Sequence, residues 1–183
     1  MKIESPDLPH KTEAGGVRLG IRDAGEARAA FIEIMRAAAA FAPQAELRGV
    51  VVQEMVAGGV EALVGLTRHE PFGLGIVVGC GGVLVELMAD AAFELLPVDE
   101  ATARAMVART KLARLLAGYR GAPAADLEAL VRAIVALSDL AAVHGGQIEA
   151  IDLNPVAVLP VGRGVRILDA LVIPSGGSMI RLK

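Results

Sequence analysis

Residues 147–172, QIEAIDLNPVAVLPVGRGVRILDALV, constrain the fold more tightly than any other part of the chain. Two runs rich in β-branched residues flank a turn containing proline and glycine. That pattern predicts an antiparallel hairpin. A turn centred on Val161–Gly162 sets Asn154 directly opposite Asp169, with Cβ atoms about 5 Å apart. Alternation puts Asp152 on the same strand face as Asn154. Two carboxylates and an amide oxygen then converge on one patch of an apolar hairpin. Oxygen donors of this kind suit Mg²⁺, which takes one or two carboxylates and completes its shell with water and phosphate oxygens. A strand with a polar face and an Asx turn at Asn154–Pro155 accounts for the same residues, so spacing alone leaves both readings open.

The chain has 183 residues, enough for one domain with a sizeable core. Hydrophobic residues make up 54%, aromatics only 3%, and tryptophan is absent, so the core is aliphatic. Mean hydropathy is +0.55. The apolar stretch over residues 72–85 is too short and too glycine-rich for a membrane span of about 20 residues, and Glu86 and Asp90 close it. No apolar signal core follows Met1, which predicts a cytoplasmic protein without membrane association. A single cysteine, Cys80, excludes an internal disulfide and a cysteine metal cluster. Net charge is −3 with no basic stripe, so nucleic acid is not an expected partner.

Read in order, the pattern predicts an α+β fold with an antiparallel sheet flanked by helices. Lys2 and Ile3 read as the tail of a strand, residues 5–16 as a loop and residues 17–21 as a short strand. Asp23, with Glu26 three residues later, caps a helix whose buried face is Phe31, Ile34, Met35 and Ala38. The helix ends before Pro43. Strands over residues 47–56, 61–68 and 74–79 form a meander. A further extended stretch covers residues 83–96, with a break at Asp90. Asp99 caps the next helical region, which breaks near Thr110 and closes at Gly118 and Gly121. Leu127, Leu130, Val131, Ile134, Leu137 and Val143 form the stripe of another helix, stopped at Gly145–Gly146. Residues 174–183 read as a loose tail.

Three further segments could carry chemistry. In HKTEAGG, Gly15 and Gly16 could free backbone N–H groups for an anion, Lys2 and Lys11 could neutralise phosphate, and His10 could accept a phosphoryl group. An ordinary surface loop explains the same residues. Gln53, Glu54, Met55 and Val56 end an apolar strand at a glycine turn, and Glu61 opens the next strand. Exposed backbone there could pair with an adenine edge and the carboxylate with ribose, although a plain hairpin end fits equally. Gly79, Gly81 and Gly82 form a loop after a buried strand. A dinucleotide-binding reading fails, because the residues after Gly82 read as strand and not as a helix facing a pyrophosphate. Cys80 there reads as a small buried residue. His69 and His144 lack metal-ligand spacing, and no serine sits in a hydrolase elbow.

The runs KIESPDLPHKTEAGGVRLGI, VVVQEMVAGGVEALVGLTR, FGLGIVVGCGGVLVELMAD, IEAIDLNPVAVLP and ILDA, taken together, resemble the ATP-grasp domain of NDP-forming acyl-CoA synthetases. The ADP-forming acetyl-CoA synthetases are the best-known members, and succinyl-CoA synthetase β subunits are more distant relatives. The resemblance runs in order from Lys2 to about Val172. It implies that Lys2, on the strand before the loop, contacts nucleotide phosphates and that His10 relays a phosphoryl group to ADP, with Lys11, Gly15 and Gly16 of the same loop as further nucleotide-binding candidates. It likewise implies an adenine hinge at Gln53, Glu54, Met55 and Val56, a ribose carboxylate at Glu61, and a glycine pair, Gly81 and Gly82, beside the incoming phosphoryl group. Asn154 and Asp169 match Mg²⁺ ligands, with Asp152 as a neighbouring acid. Departures are Arg68–His69–Glu70–Pro71 in place of TRDP, Leu74 where proline is common, and Cys80 in place of a small or apolar residue.

The expected architecture is a partial ATP-grasp domain over residues 1–173 with a tail over 174–183. It lacks the segment that precedes Lys2 in the family and the CoA-binding and ligase domains, its expected partners. The implied cofactors are ATP or ADP and Mg²⁺. The implied activity is that of an acid–thiol ligase, with the isolated chain inactive. Two other readings are a degenerate accessory module, as in acetyltransferase fusions, and an oligomerisation piece that self-associates through exposed apolar surface.

Overall fold

In a computed structural model, the first helix, α1 (Ala24–Phe41), begins where the capping pattern predicts. The Asp23 carboxylate accepts the Glu26 N–H at 2.8 Å, and the Glu26 carboxylate accepts the Arg22 N–H at 2.9 Å. The structure describes all residues except Pro9, residues 83–88, residues 177–179 and Lys183, and only the backbone of residues 180–182. The chain divides into two compact units, Met1–Val56 and Ala57–Lys183.

In the first unit, β1 (Lys2–Glu4) pairs antiparallel with β2 (Gly49–Val51), with Ile3 opposite Val50. Ile3, Leu8 and Ala14 pack against Ile34 and Ala38 of α1 in a small core. The predicted strand over residues 17–21 reduces to a single bridge between Val17 and Lys2, and Gly20 turns the chain with φ +71°. Phe31, expected inside, is 45% exposed, because Ala30, Ile34 and Ala38 take the inward stripe. The strand predicted over residues 47–56 is only three residues long and belongs to this small sheet, so the meander begins one strand later.

In the second unit, β3 (Val60–His69), β4 (Gly73–Cys80) and β5 (Ala91–Leu95) form that meander. β6 (Ile148–Val158) pairs antiparallel with β3, β7 (Val165–Ile167) and β8 (Ala170–Pro174). With β9 (Ile180–Leu182), the sheet order is β5-β4-β3-β6-β8-β9, with β7 on β6. The predicted tail instead supplies Pro174 to β8, and Ile180–Leu182 forms β9 against β8, because β8 offers an edge that backbone can pair with. Of the extended stretch predicted over residues 83–96, residues 83–88 lie outside the described residues.

Helices α2 (Glu100–Ala108), α3 (Leu112–Leu116) and α4 (Leu127–His144) all contribute to one core with the sheet. Ala62, Val64 and Leu66 of β3 alternate inward beside Ile76, Val78 and Cys80 of β4. Met106, Leu112, Leu130, Val131 and Ile134 meet them, each with no more than 1% exposure. Val143 departs from the predicted stripe and is 76% exposed, near the helix end. The break after α2 has a clear cause. The Thr110 hydroxyl and N–H both donate to the Val107 carbonyl, and the Asp90 carboxylate accepts the Lys111 N–H.

Two polar groups fix the helix layer to the hairpin. Arg68 of β3 donates to the carbonyls of Gly145 (2.6 Å) and Ile148 (2.7 Å), which satisfies the end of α4 and the start of β6 together. Asp126 is the N-cap of α4: one oxygen accepts the Ala129 N–H, and the other accepts the N–H groups of Gly162 and Gly164, each at 3.0 Å. These backbone donors, Gly164 first, hold its carboxyl below the usual carboxylate range. A carboxyl with a lowered folded pKa stabilises the protein above the unfolded value of about 3.9, and that contribution is lost as pH falls through the folded pKa.

Asp126→Ala therefore lowers the thermal midpoint at neutral pH, and the gap to the parent narrows as pH falls below about 4, measured by circular dichroism melts. A gap independent of pH overturns the assignment. Ile134→Ala, at a site with no exposed surface, lowers unfolding free energy by about 2–5 kcal/mol in urea titrations.

Candidate functional site

The hairpin has the register that its sequence predicts. β6 and β7 pair Val156 with Ile167 and Val158 with Val165, closing on a turn around Val161–Gly162. Continued by two residues, this register brings Asn154 to Asp169, and the Asn154 N–H donates to the Asp169 carbonyl at 3.2 Å. On the β3 side the register shifts between Ala62 and Val64, which places a bulge on β6 at Asn154–Pro155. Core-facing residues are Ile151 and Leu153 before this point and Val156 and Val158 after it. Alternation thus changes phase at Asn154. Asp152 is exposed, opposite Gly65 and Leu171 and two residues before the bulge.

The glycine loop after β4 reaches the same place. The Gly81 N–H donates to the Glu61 carbonyl at 2.8 Å, and the Gly82 N–H donates to Asn154 Oδ1 at 2.9 Å. A Cβ on Gly81 would lie 2.3 Å from the Ala62 carbonyl oxygen, too close for any side chain beside the β3 backbone. A Cβ on Gly82 would lie 1.7 Å from Glu61 Oε2, and φ is +61° there. Glu61, Gly81, Gly82, Asn154 and Asp169 are therefore linked through hydrogen bonds and close approach, although they come from three separate stretches of sequence. The loop acts as a close-packing device as well as a candidate phosphate contact.

An amide oxygen has two lone pairs, so Asn154 Oδ1 can accept from Gly82 and still face a cation. Asp169 is half-buried. Among the described residues no group of three His, Cys, Asp or Glu side chains could hold a metal ion. The available donors are instead an amide oxygen and carboxylates, all hard oxygen ligands. Such a sparse set fits Mg²⁺, which relies on water and phosphate for the rest of its shell. Cys80 is 3% exposed, the small buried residue that the sequence suggests, and burial pushes its thiol pKa up. His69 stacks edge-on against Phe93 at 4.9 Å, and His144 ends α4.

In the first unit, Lys2 lies on β1 opposite Val51, and His10 is exposed at the start of its loop. The loop closes on itself. The Gly15 N–H donates to the Thr12 carbonyl at 3.0 Å, and the Gly16 N–H donates to the Lys11 carbonyl at 2.8 Å. The expectation that both glycine N–H groups are open to an anion is therefore corrected. Gly15 supplies φ +65°, and Gly16 allows contact with Ile3, since a Cβ there would sit 2.5 Å from Ile3 Cγ2. Lys11 is 7% exposed, its stem held in the fold. Gln53, Glu54 and Met55 are exposed and Val56 half-buried, and none of the four enters a strand. Sequence reasoning missed the contact between Gly82 and Asn154, which joins positions 72 residues apart.

The sequence matches the model of the ATP-grasp domain over residues 1–173. It is 39% identical over 172 residues to a 4-hydroxybutyrate–CoA ligase [ADP-forming] of Nitrosopumilus maritimus, covering 94% of this chain and 24% of that protein. It is 37% identical to the acetate–CoA ligase [ADP-forming] II subunit beta of Pyrococcus furiosus, covering 96% of this chain and 75% of that subunit. The chain thus spans about a quarter of the first protein and three quarters of the second. Among solved structures, it superposes with TM-score 0.80 and 35% identity on acetyl-coenzyme A synthetase 1 of Ca. Korarchaeum cryptofilum, over 95% of this chain and 75% of that one. That protein was solved with coenzyme A and Mg-AMPPCP, its phosphohistidine segment pointing towards the nucleotide binding site. This chain belongs to the ATP-grasp domain family, as found in the ADP-forming CoA ligases.

Proposed function

We propose that this chain is the nucleotide-binding module of an ADP-forming acyl-CoA synthetase, an acid–thiol ligase, and that it passes a phosphoryl group between a phosphohistidine and ADP. The linkage of Glu61, Gly82, Asn154 and Asp169 carries the reading. It brings the glycine loop, the Asn154 amide and the backbone of Glu61 and Asp169 together in one compact unit, which supports assigning the phosphate, ribose and metal roles there. The overall reaction is acyl-CoA + ADP + phosphate ⇌ acid + CoA + ATP. Its acyl chemistry belongs to CoA-binding and ligase domains supplied by a partner chain or a longer polypeptide. The absence, among the described residues, of a helix long and apolar enough to cross a membrane, together with the single buried thiol, supports a place in the cytoplasm.

At the transfer step, the N–P bond of phosphohistidine breaks and a β-phosphate oxygen of ADP takes the phosphoryl group. Such transfer asks for positioning and charge neutralisation more than covalent work by the protein. Asn154 and Asp169, with Asp152 beside them, would hold Mg²⁺, which supplies charge compensation across the phosphate oxygens. Lys2 and Lys11 are assigned to phosphate charge, Gly15 and Gly16 to the shape of their loop, and Gly81 and Gly82 to close approach of the phosphoryl group. Gln53, Glu54, Met55 and Val56 are assigned to the adenine edge, with Glu61 on ribose. His10, exposed and next to Lys11, is the assigned acceptor that relays the group.

Asp169→Asn is expected to weaken Mg·ADP binding by at least about tenfold in calorimetry, with Mg²⁺-free ADP less affected, since a charged oxygen ligand is lost. Equal Mg·ADP affinity in the variant overturns the metal assignment. His10→Gln is expected to leave Mg·ADP affinity unchanged while abolishing phosphoryl transfer in the assembled synthetase, followed with radiolabelled phosphate. Transfer at the parent rate excludes His10 from the relay.

A further inference from the structure

The glycine pair after β4 spends both of its N–H groups inside the protein. The Gly81 N–H donates to the Glu61 carbonyl at 2.8 Å, and the Gly82 N–H donates to Asn154 Oδ1 at 2.9 Å. A backbone nest for an anion presents its N–H groups open. The pair therefore leaves room for an incoming phosphoryl group without offering it a donor. Its donors serve the β3 backbone and the amide assigned to the metal.

The backbone of Asn154 is already fixed. It sits at the bulge of β6, and its own N–H donates to the Asp169 carbonyl at 3.2 Å. Its side chain retains two torsions, so the amide could still turn over. The two ends of that amide are not equivalent. Oδ1 can bind a cation, whereas the NH₂ group is a donor and cannot. The Gly82 N–H selects the oxygen end, because a turned-over amide would set donor against donor. One lone pair of Oδ1 is spent on Gly82, and the other remains for a single bond to a small cation.

The loop holds that N–H in place. A Cβ on Gly81 would meet the Ala62 carbonyl oxygen at 2.3 Å, so only glycine lets the loop lie this close to β3. Gly82 follows with φ +61°, a left-handed value that glycine adopts without strain. A residue that refuses positive φ forces the peptide carrying this N–H to rotate away from Asn154.

We propose that Gly82 is a positioning residue for the metal: its N–H holds the Asn154 amide with Oδ1 turned to the cation. The inference rests on the metal assignment in the functional reading above, and Gly82 exerts this effect through Asn154.

The test sets Gly82→Asn beside Gly82→Val. Both add a Cβ toward Glu61, but asparagine accepts positive φ far better than a β-branched residue. Calorimetry on this chain is expected to show Mg·ADP affinity at least about fivefold weaker for Gly82→Val, with Gly82→Asn between it and the parent. ADP in EDTA is expected to lose less, and Mg·ATP as much as Mg·ADP. Hydrogen exchange of the Gly82 amide, followed by NMR, is expected to be slow in the parent with and without Mg·ADP and at least about tenfold faster in Asn154→Ala. Equal losses with and without Mg²⁺, a loss confined to ATP, or a Gly82 amide no faster in Asn154→Ala overturns the positioning role. Parental Mg·ADP affinity in both Gly82 variants overturns it too and leaves the functional reading standing, whereas a parent chain that binds no Mg·ADP overturns that reading as well.

Discussion

The second unit depends on the register of β6. This strand pairs with β3 on one side and with β7 and β8 on the other. A slip of one residue along either neighbour would turn every side chain to the opposite face. The bulge at Asn154–Pro155 lets the same strand bury Ile151 and Leu153 on one side of it and Val156 and Val158 on the other. Asn154 sits at the point of change. The position most useful for chemistry is therefore also the one where regular pairing is interrupted, a common use of bulges.

Two supports outside the site fix that register. Asp126 holds the turn of the β6–β7 hairpin by two glycine N–H groups while capping α4. Arg68 holds the other end of α4 to the first residue of β6. Helix and hairpin are thus tied at both ends, and the aliphatic core between them resists sliding because it is close-packed. The glycine loop after β4 completes the arrangement. Gly81 approaches the β3 backbone to a distance that no side chain permits, Gly82 takes a left-handed φ of +61°, and the Gly82 N–H reaches Asn154.

The family match gives these contacts a context. The chain spans about a quarter of one relative and three quarters of another. The scaffold described above suits the holding of a nucleotide and a metal that is proposed for it.

Local pattern determined much of this chain. The caps at Asp23 and Asp99, the break at Thr110 and the meander of β3 and β4 follow from residue spacing and side-chain chemistry. So does the pairing of Asn154 with Asp169, because turn position alone sets a hairpin's register. Composition also fixed the aliphatic core, and the apolar segment around Cys80 marked it as a small buried residue. Errors arose where a segment's fate was decided by a distant partner. Residues 47–56 look like a full strand, yet only Gly49–Val51 finds a partner, in β1. The C-terminal residues look like a tail, yet β8 offers them an edge. Phe31 looks like core, yet smaller alanines fill the inward stripe of α1. The loop at Gly15 and Gly16 resembles an open anion cradle, yet its N–H groups are used within the loop. The bond from Gly82 to Asn154 could not be read from spacing, because it depends on the loop after β4 meeting the bulge of β6 across β3. Hydrogen-bond partners far apart in sequence are chosen by packing, and packing is settled only when the whole unit has folded.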